Sequence, residues 1–135
     1  MSINKNLSIE QLENDFWSEP EYKSSLVINC HKLRKIPIGE LTVENIRMLV
    51  AQKIGLEYVV PIAIEYLEEN PWCSGDFYDC DLLQNVLDID VAFWCSHSDL
   101  IYKLSEVMTR VQTNIKLFNE NIFPAWTELS KNWFD

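Results

Sequence analysis

Few residues in this chain are suited to covalent or metal chemistry. Four cysteines (Cys30, Cys73, Cys80, Cys95) and two histidines (His31, His97) are its only thiol and imidazole side chains. Nucleophilic catalysis needs a Ser or Cys beside a base that a third group orients. Cys30 directly precedes His31, but neighbours on a helix point about 100° apart, which keeps the two from sharing one role. Cys95, two residues before His97, is the other Cys-His neighbour pair. These four are also the nearest approach to a zinc set, and their spacing matches no familiar zinc pattern. Phosphate cradles need clustered glycines, whereas Gly39, Gly55 and Gly75 are dispersed. Acids are so numerous that pairs of them arise by chance, so a solvated face accounts for any given pair better than acid-base catalysis does. The sequence therefore predicts no catalytic residue, no metal, no cofactor and no small-molecule substrate: a binding protein, not an enzyme.

What could do binding is charge. The formal net charge is −10, from 21 acids against 11 Lys and Arg. From Ile54 through Tyr102 there is no Lys or Arg but ten acids: Glu57, Glu65, Glu68, Glu69, Asp76, Asp79, Asp81, Asp88, Asp90 and Asp99. The other eleven acids balance the eleven bases, so the whole excess lies in one segment. Such a distribution disfavours nucleic acid and anionic membranes and suits a basic partner. Solubility is the simpler reading of the same charge. Under the docking reading, Glu57, Glu65, Glu68, Glu69, Asp76, Asp79, Asp88 and Asp90 form the candidate partner-binding set, with Trp72, Phe77 and Tyr78 as aromatic anchors, core packing being the other reading of Phe77 and Tyr78, and Trp126 and Trp133 as further candidates. Like charges at neighbouring helical positions weaken an isolated helix, so the stripe of glutamates is offset or used elsewhere.

The elements that must position these residues are helical. Ser8 three before Gln11 reads as a capping box opening a helix with Ile9, Leu12, Phe16 and Trp17. A second helix is predicted from about Tyr22 to Arg34, with Leu26, Ile28 or Cys30, and Leu33 inward. Thr42 caps a third, carrying Val43, Ile46, Leu49, Val50 and Ile54, which Gly55 closes. A fourth spans Leu56 to Glu69, with Leu56, Val59, Val60, Ala63 and Leu67 inward and the glutamates opposite. Trp72 to Cys80 reads as a loop, Asp81 to Asp88 as a short helix, and Ser98 as the cap of a long helix. Its predicted inward stripe is Ile101, Leu104, Val107 or Met108, Val111, Ile115 and Phe118, and Pro124 separates it from a last turn or two. The expected fold is all-α, a single domain over residues 1–135 with roughly five to seven helices. With no signal-like apolar run, the chain is expected to be cytoplasmic, its thiols reduced and buried.

Several stretches together resemble the immunity proteins of contact-dependent growth inhibition (CDI) systems: Leu33-Arg34-Lys35-Ile36-Pro37, the run from Leu41 to Gln52, Ile54-Gly55-Leu56 with Pro61, Leu67 to Pro71, Gly75-Asp76-Phe77-Tyr78, and Asp81-Leu82-Leu83. The resemblance spans Leu12 to Trp94. It departs at Asn45, where the family usually has an acid, and at Asp79-Cys80, which replaces a Pro-Gly. The resemblance implies an immunity protein that binds the C-terminal toxin domain delivered by a neighbouring cell and covers its active site or substrate surface. Toxins of such systems are often nucleases, whose substrate surface must be basic. It also implies that the Gly75 to Leu83 signature is scaffold, with Phe77 packed inside, and that specificity lies in less typical positions or after Asp99. The other reading from the residues is an acidic helical adaptor or regulatory subunit for a basic cellular partner.

Overall fold

In the computed structural model, which describes residues 3–21 and 24–133, the chain is all-α. The helices are α1 (Ile9–Glu13), α2 (Ser25–Leu33), α3 (Val43–Ala51), α4 (Leu56–Glu69), α5 (Asp81–Leu87), α6 (Val91–Cys95), α7 (Ser98–Leu117) and α8 (Phe123–Ser130). A 3₁₀ turn, Ile38–Glu40, precedes α3, and a π-helical turn, Phe118–Ile122, fuses α7 to α8 into one rod. With that rod counted once, the described residues form seven helices, within the predicted range. The predicted start of α2 at Tyr22 lies outside the described residues.

Local chemistry sets where the helices begin. Ser8 and Gln11 form the expected capping box, with Ser8 N–H donating to Gln11 Oε1 at 2.9 Å. Thr42 does the same with Asn45, whose amide oxygen accepts from Thr42 N–H at 3.0 Å, so the residue that departs from the family pattern still completes the cap. Gly55 opens α4 instead of closing α3, and Lys53 takes the left-handed conformation (φ 59°) after α3. At Gly55 (φ 60°) a Cβ would lie 2.8 Å from Ile9 Cγ2, so close packing on α1 demands glycine there. Helix α1 is shorter than predicted: Asn14 ends it in the left-handed conformation, leaving Phe16 and Trp17 exposed.

The core forms around α4, whose Val59, Val60, Ala63, Ile64 and Leu67 are buried with Ile46, Leu49 and Val50 of α3, Leu82 and Val86 of α5, and Leu100, Val107 and Val111 of α7. Each such side chain removed from water contributes about 1.5–3 kcal/mol. Leu26, predicted to face inward from α2, is exposed, while Cys30 and Leu33 are buried. On α7 it is Leu100, not Ile101, that turns inward, since it stands four, seven and eleven residues before Leu104, Val107 and Val111 and shares their face; α6, which the sequence pattern does not announce, precedes it. His97, with no side-chain cap bond, precedes the helix that Ser98 was expected to cap.

The N-terminal segment crosses the 3₁₀ turn. Ile38 N–H donates to Leu7 O at 2.9 Å and Gly39 N–H to Lys5 O at 3.0 Å, which brings Lys5 to α4. Arg34, only 1% exposed, pairs with Glu13, donates to Asp15 O and lies 4.0 Å over the Trp17 ring, pinning the segment after α1 onto the end of α2.

Pro124 does not break the last helix as predicted. It lacks the amide hydrogen that an α-helix would direct at Glu120, and the π turn absorbs the defect, with Phe123 N–H reaching back to Phe118 O. The rod thus continues to Ser130, but Val111 is its last buried residue. Ile115 and Phe118, predicted to face the core, lie beyond the body of the fold and are exposed.

Candidate functional site

The acids of the central segment fall into two kinds. Asp81, at the first position of α5, is 0% exposed and organises the preceding loop. It accepts backbone N–H bonds from Gly75 at 2.6 Å, Phe77 at 3.1 Å and Tyr78 at 3.4 Å, and lies 4.0 Å from Arg47 Nε. Arg47 on α3 donates two bonds to Glu44, at 2.6 and 2.5 Å, and Glu44 in turn accepts from Asp76 N–H at 2.8 Å. A Cβ on Gly75 would collide with the Glu44 carboxylate, so a larger residue there must displace Glu44 from this network.

Electrostatics follow from that geometry. Burial alone would raise the Asp81 carboxyl, but the three amides and Arg47 outweigh it and hold it below its ordinary range. The bond from Arg47 lowers Glu44 against the opposing effect of burial, helped by the Asp76 amide. The same bond raises Arg47. This is a charge cluster that fixes a loop.

Phe77 is not inside. It is 69% exposed, and the Arg47 guanidinium lies 4.2 Å over its ring, so the scaffold role of this signature belongs to Asp81, Gly75 and Arg47 instead. Cys80, which stands in the place of the usual glycine, adopts the left-handed conformation (φ 70°) that glycine would take without strain.

The second kind is solvent-facing: Glu57, Glu65, Glu68, Glu69, Asp76, Asp79, Asp88 and Asp90 are all exposed, as is Trp72. The fold distributes them over three places. Glu57, Glu65, Glu68 and Glu69 share one flank of α4, Asp76 and Asp79 ride on the pinned loop, and Asp88 and Asp90 occupy the turn between α5 and α6. The fold also brings bases that lie outside the acidic segment. Lys5 Nζ is 2.8 Å from Glu65, Lys53 Nζ is 3.9 Å from Asp90, and Lys103 lines a surface depression with Glu65 and Asp99. Arg110 donates to Glu68 O at 2.6 Å, stitching α7 to the end of α4. Charge counting along the chain could not see these long-range neighbours. Exposed pairs of this type contribute only about 0–1 kcal/mol each, so the flank keeps its acidic character.

Trp72 stands where this flank meets an apolar one. It lines an open groove of about 460 Å³ with Asn114, Ile115, Leu117, Phe118, Asn119 and Ile122 of the rod. Trp126 and Trp133, farther along, meet edge to face at 5.4 Å and are both about half exposed. The signal that could have located this surface is the apolar stripe itself, which continues long after the body has ended.

The two histidines serve packing. His97 stacks on Phe93 at 4.2 Å, and His31 meets Trp17 edge-on at 5.0 Å. All four cysteines are free thiols, but only Cys30 is buried, and Cys95 is exposed, contrary to the expectation of buried thiols. Burial raises the Cys30, Cys73 and Cys80 thiols, which lowers their thiolate fraction. Among the described residues no group of three or more His, Cys, Asp or Glu side chains converges on a metal position, and no helix is long and apolar enough to cross a membrane.

The sequence model of a family described as CDI immunity proteins matches residues 11–104. The chain belongs to this family. No curated protein and no solved structure matches it. The immunity-family match contains the Glu44–Arg47–Asp81 cluster, the loop it pins and the acidic flank of α4, and it ends at Leu104, where α7 has made its first turns along the body. The outer rod lies beyond it.

Proposed function

We propose that this immunity protein neutralises its cognate toxin domain by binding it stoichiometrically through the acidic flank of α4, the Asp76–Asp79 loop and the Asp88–Asp90 turn, with Trp72 at the border of that face. It acts in the cytoplasm by occlusion, without turnover, and the toxin is a nuclease whose basic substrate surface the acids cover. The observation that carries this reading is the coincidence of membership in the immunity family with a net charge of −10 and with the eight exposed acids of α4, the loop and the turn all lying within the matched segment. A nuclease surface built for a polyanion attracts such a face from a distance and is blocked by it on contact.

The test is charge reversal. Glu65, Glu68 and Glu69 are exposed, so replacing all three by Lys leaves the helical circular dichroism unchanged. Association with the purified toxin domain, measured by stopped flow, should slow by about ten-fold or more at low salt and lose most of its salt dependence. An unchanged association rate would remove α4 from the interface, and binding weaker than about micromolar by the wild-type chain would remove the immunity mechanism itself.

A further inference from the structure

The outer rod is the least explained surface of the molecule. From Gln112 to Trp133 no residue is buried. Ile115, Leu117, Phe118, Ile122, Phe123, Trp126, Leu129 and Trp133 are each between 47 and 62% exposed. With about 150–250 Å² available to each aromatic ring, half-covered side chains of this number leave on the order of 800 Å² of contiguous apolar surface. The largest apolar patch on a typical monomer is about 300–600 Å².

We infer that this rod pairs with the same rod of a second copy of the chain, antiparallel and centred on Ile122. Three observations select that occupant. The exposed stripe Ile115, Phe118, Ile122, Trp126, Leu129 has spacings of 3, 4, 4 and 3 residues, which read identically from either end. A two-fold axis at Ile122 therefore sets Ile122 against itself, Phe118 against Trp126, and Ile115 against Leu129, each contact made twice. The π turn carries the helix across Pro124 without a break, so the stripe runs on in one continuous rod.

Charge gives the second argument. Within a chain of net charge −10, the stretch from Gln112 to Trp133 is neutral, with Lys116 and Lys131 against Glu120 and Glu128. It is thus a surface on which two such acidic molecules meet without repulsion, and it offers little to draw a strongly basic partner. Antiparallel pairing also sets the bodies apart. From Ile122 back to Val111 is about 16 Å of helix in each copy, so the last core residues of the two copies lie roughly 30 Å apart along the axis, several Debye lengths. A parallel pair would place them side by side.

Size is the third. Two patches of this area bury on the order of 1,600 Å², the standard size of a stable interface. In this arrangement the groove beside Trp72 receives Trp126 and Leu129 of the second copy, so the body contributes one wall of the interface. The inference goes beyond the toxin-binding reading and does not depend on it.

Sedimentation equilibrium of the purified chain without any toxin decides the matter. The wild type should be a dimer at micromolar concentration, unweakened by raising salt. Ile122→Asp, at an exposed position, should keep its helical circular dichroism and raise the dissociation constant at least about 100-fold by placing two charges against each other on the axis. In a Cys95→Ser background, mild oxidation should couple Ile122→Cys to itself, while Glu120→Cys, about half a turn away in the π turn, stays uncoupled. A chain that is monomeric at its highest soluble concentration, or a dimer that Ile122→Asp leaves intact, overturns the proposal. So does a monomer whose rod becomes protected from hydrogen exchange only on adding the toxin domain, which would make the toxin the occupant. Reversal of Glu65, Glu68 and Glu69 should leave the dimer unchanged, which separates this outcome from failure of the acidic face.

Discussion

Replacing Asp81 by Ala should cost about 3–5 kcal/mol of stability. The carboxylate is fully buried and accepts amides at 2.6, 3.1 and 3.4 Å, of which the first two are strong by distance. Net hydrogen bonds to a charged acceptor contribute about 1.5–3 kcal/mol each, and the acid at the first turn of α5 adds about 0.3–1 kcal/mol through the helix dipole. Part of the loss is recovered because the freed loop is exposed enough for water to reach its amides, and because Arg47 keeps Glu44. Against a total of about 5–15 kcal/mol this is a large fraction, and it corresponds to a fall of roughly 10–18 °C in Tm. Urea titration followed by circular dichroism and Trp fluorescence should show a lower midpoint with unchanged slope. Asp81→Asn, which keeps one acceptor oxygen, should lose about half as much. Linkage supplies an independent check. The native Asp81 carboxyl lies below its ordinary range, so its contribution is complete at neutral pH and is lost as pH falls below about 4, where the unfolded chain takes up the proton first. Glu44 acts with the same sign. The wild type should therefore lose stability on acidification more steeply than Asp81→Asn. A cost for Asp81→Ala below about 1 kcal/mol, or parallel acid profiles, would show that the loop is held by something else.

Phe77→Ala should cost only about 1 kcal/mol, the scale of an exposed cation–π contact, and a loss of 3–5 kcal/mol in the same urea assay would mean that the ring is buried after all. Cys80→Gly should stabilise by about 0.5–1 kcal/mol by relieving the left-handed backbone, and a lower melting temperature would count against strain at this position. Gly75→Ala should destabilise by about 1–3 kcal/mol and slow toxin association together, because the displaced Glu44 no longer holds the Asp76 amide; a variant matching the wild type in both measurements would refute the fit.

Locally encoded features are legible in the sequence. Ser8 announces its capping box and Thr42 its N-cap within four residues, and the inward stripe of α4 recurs at helical spacing over its whole length. Features that depend on distant partners are not. Asp81 looks like any other acid in a charged segment until the amides of Gly75, Phe77 and Tyr78 are folded around it. Lys5 reaches Glu65 only because the 3₁₀ turn captures the N-terminal segment. Ile115 and Phe118 carry the same periodicity as Val107 and Val111, and periodicity reports which side of a helix is apolar, not whether anything covers it. Pro124 reads as a stop because the usual cost of proline applies to the α-helical ladder, which the π turn replaces here.

The absence of buried side chains beyond Val111 among the described residues has a consequence for timing. In a single copy of the chain, the core segments of α3, α4 and α5 should exchange their amide protons mainly through global unfolding, whereas the outer rod is held chiefly by its own backbone ladder, which is marginal for an isolated helix of this length. It should open and reclose as a separate cooperative unit, on a much faster clock than the body. Any partner that seats on it selects the closed helical form, so the ordering of this segment is drawn from the docking energy, and apparent affinity scales with the fraction already helical. Changes in helix propensity on the rod's outer, uncontacted side would then tune recognition without touching the interface.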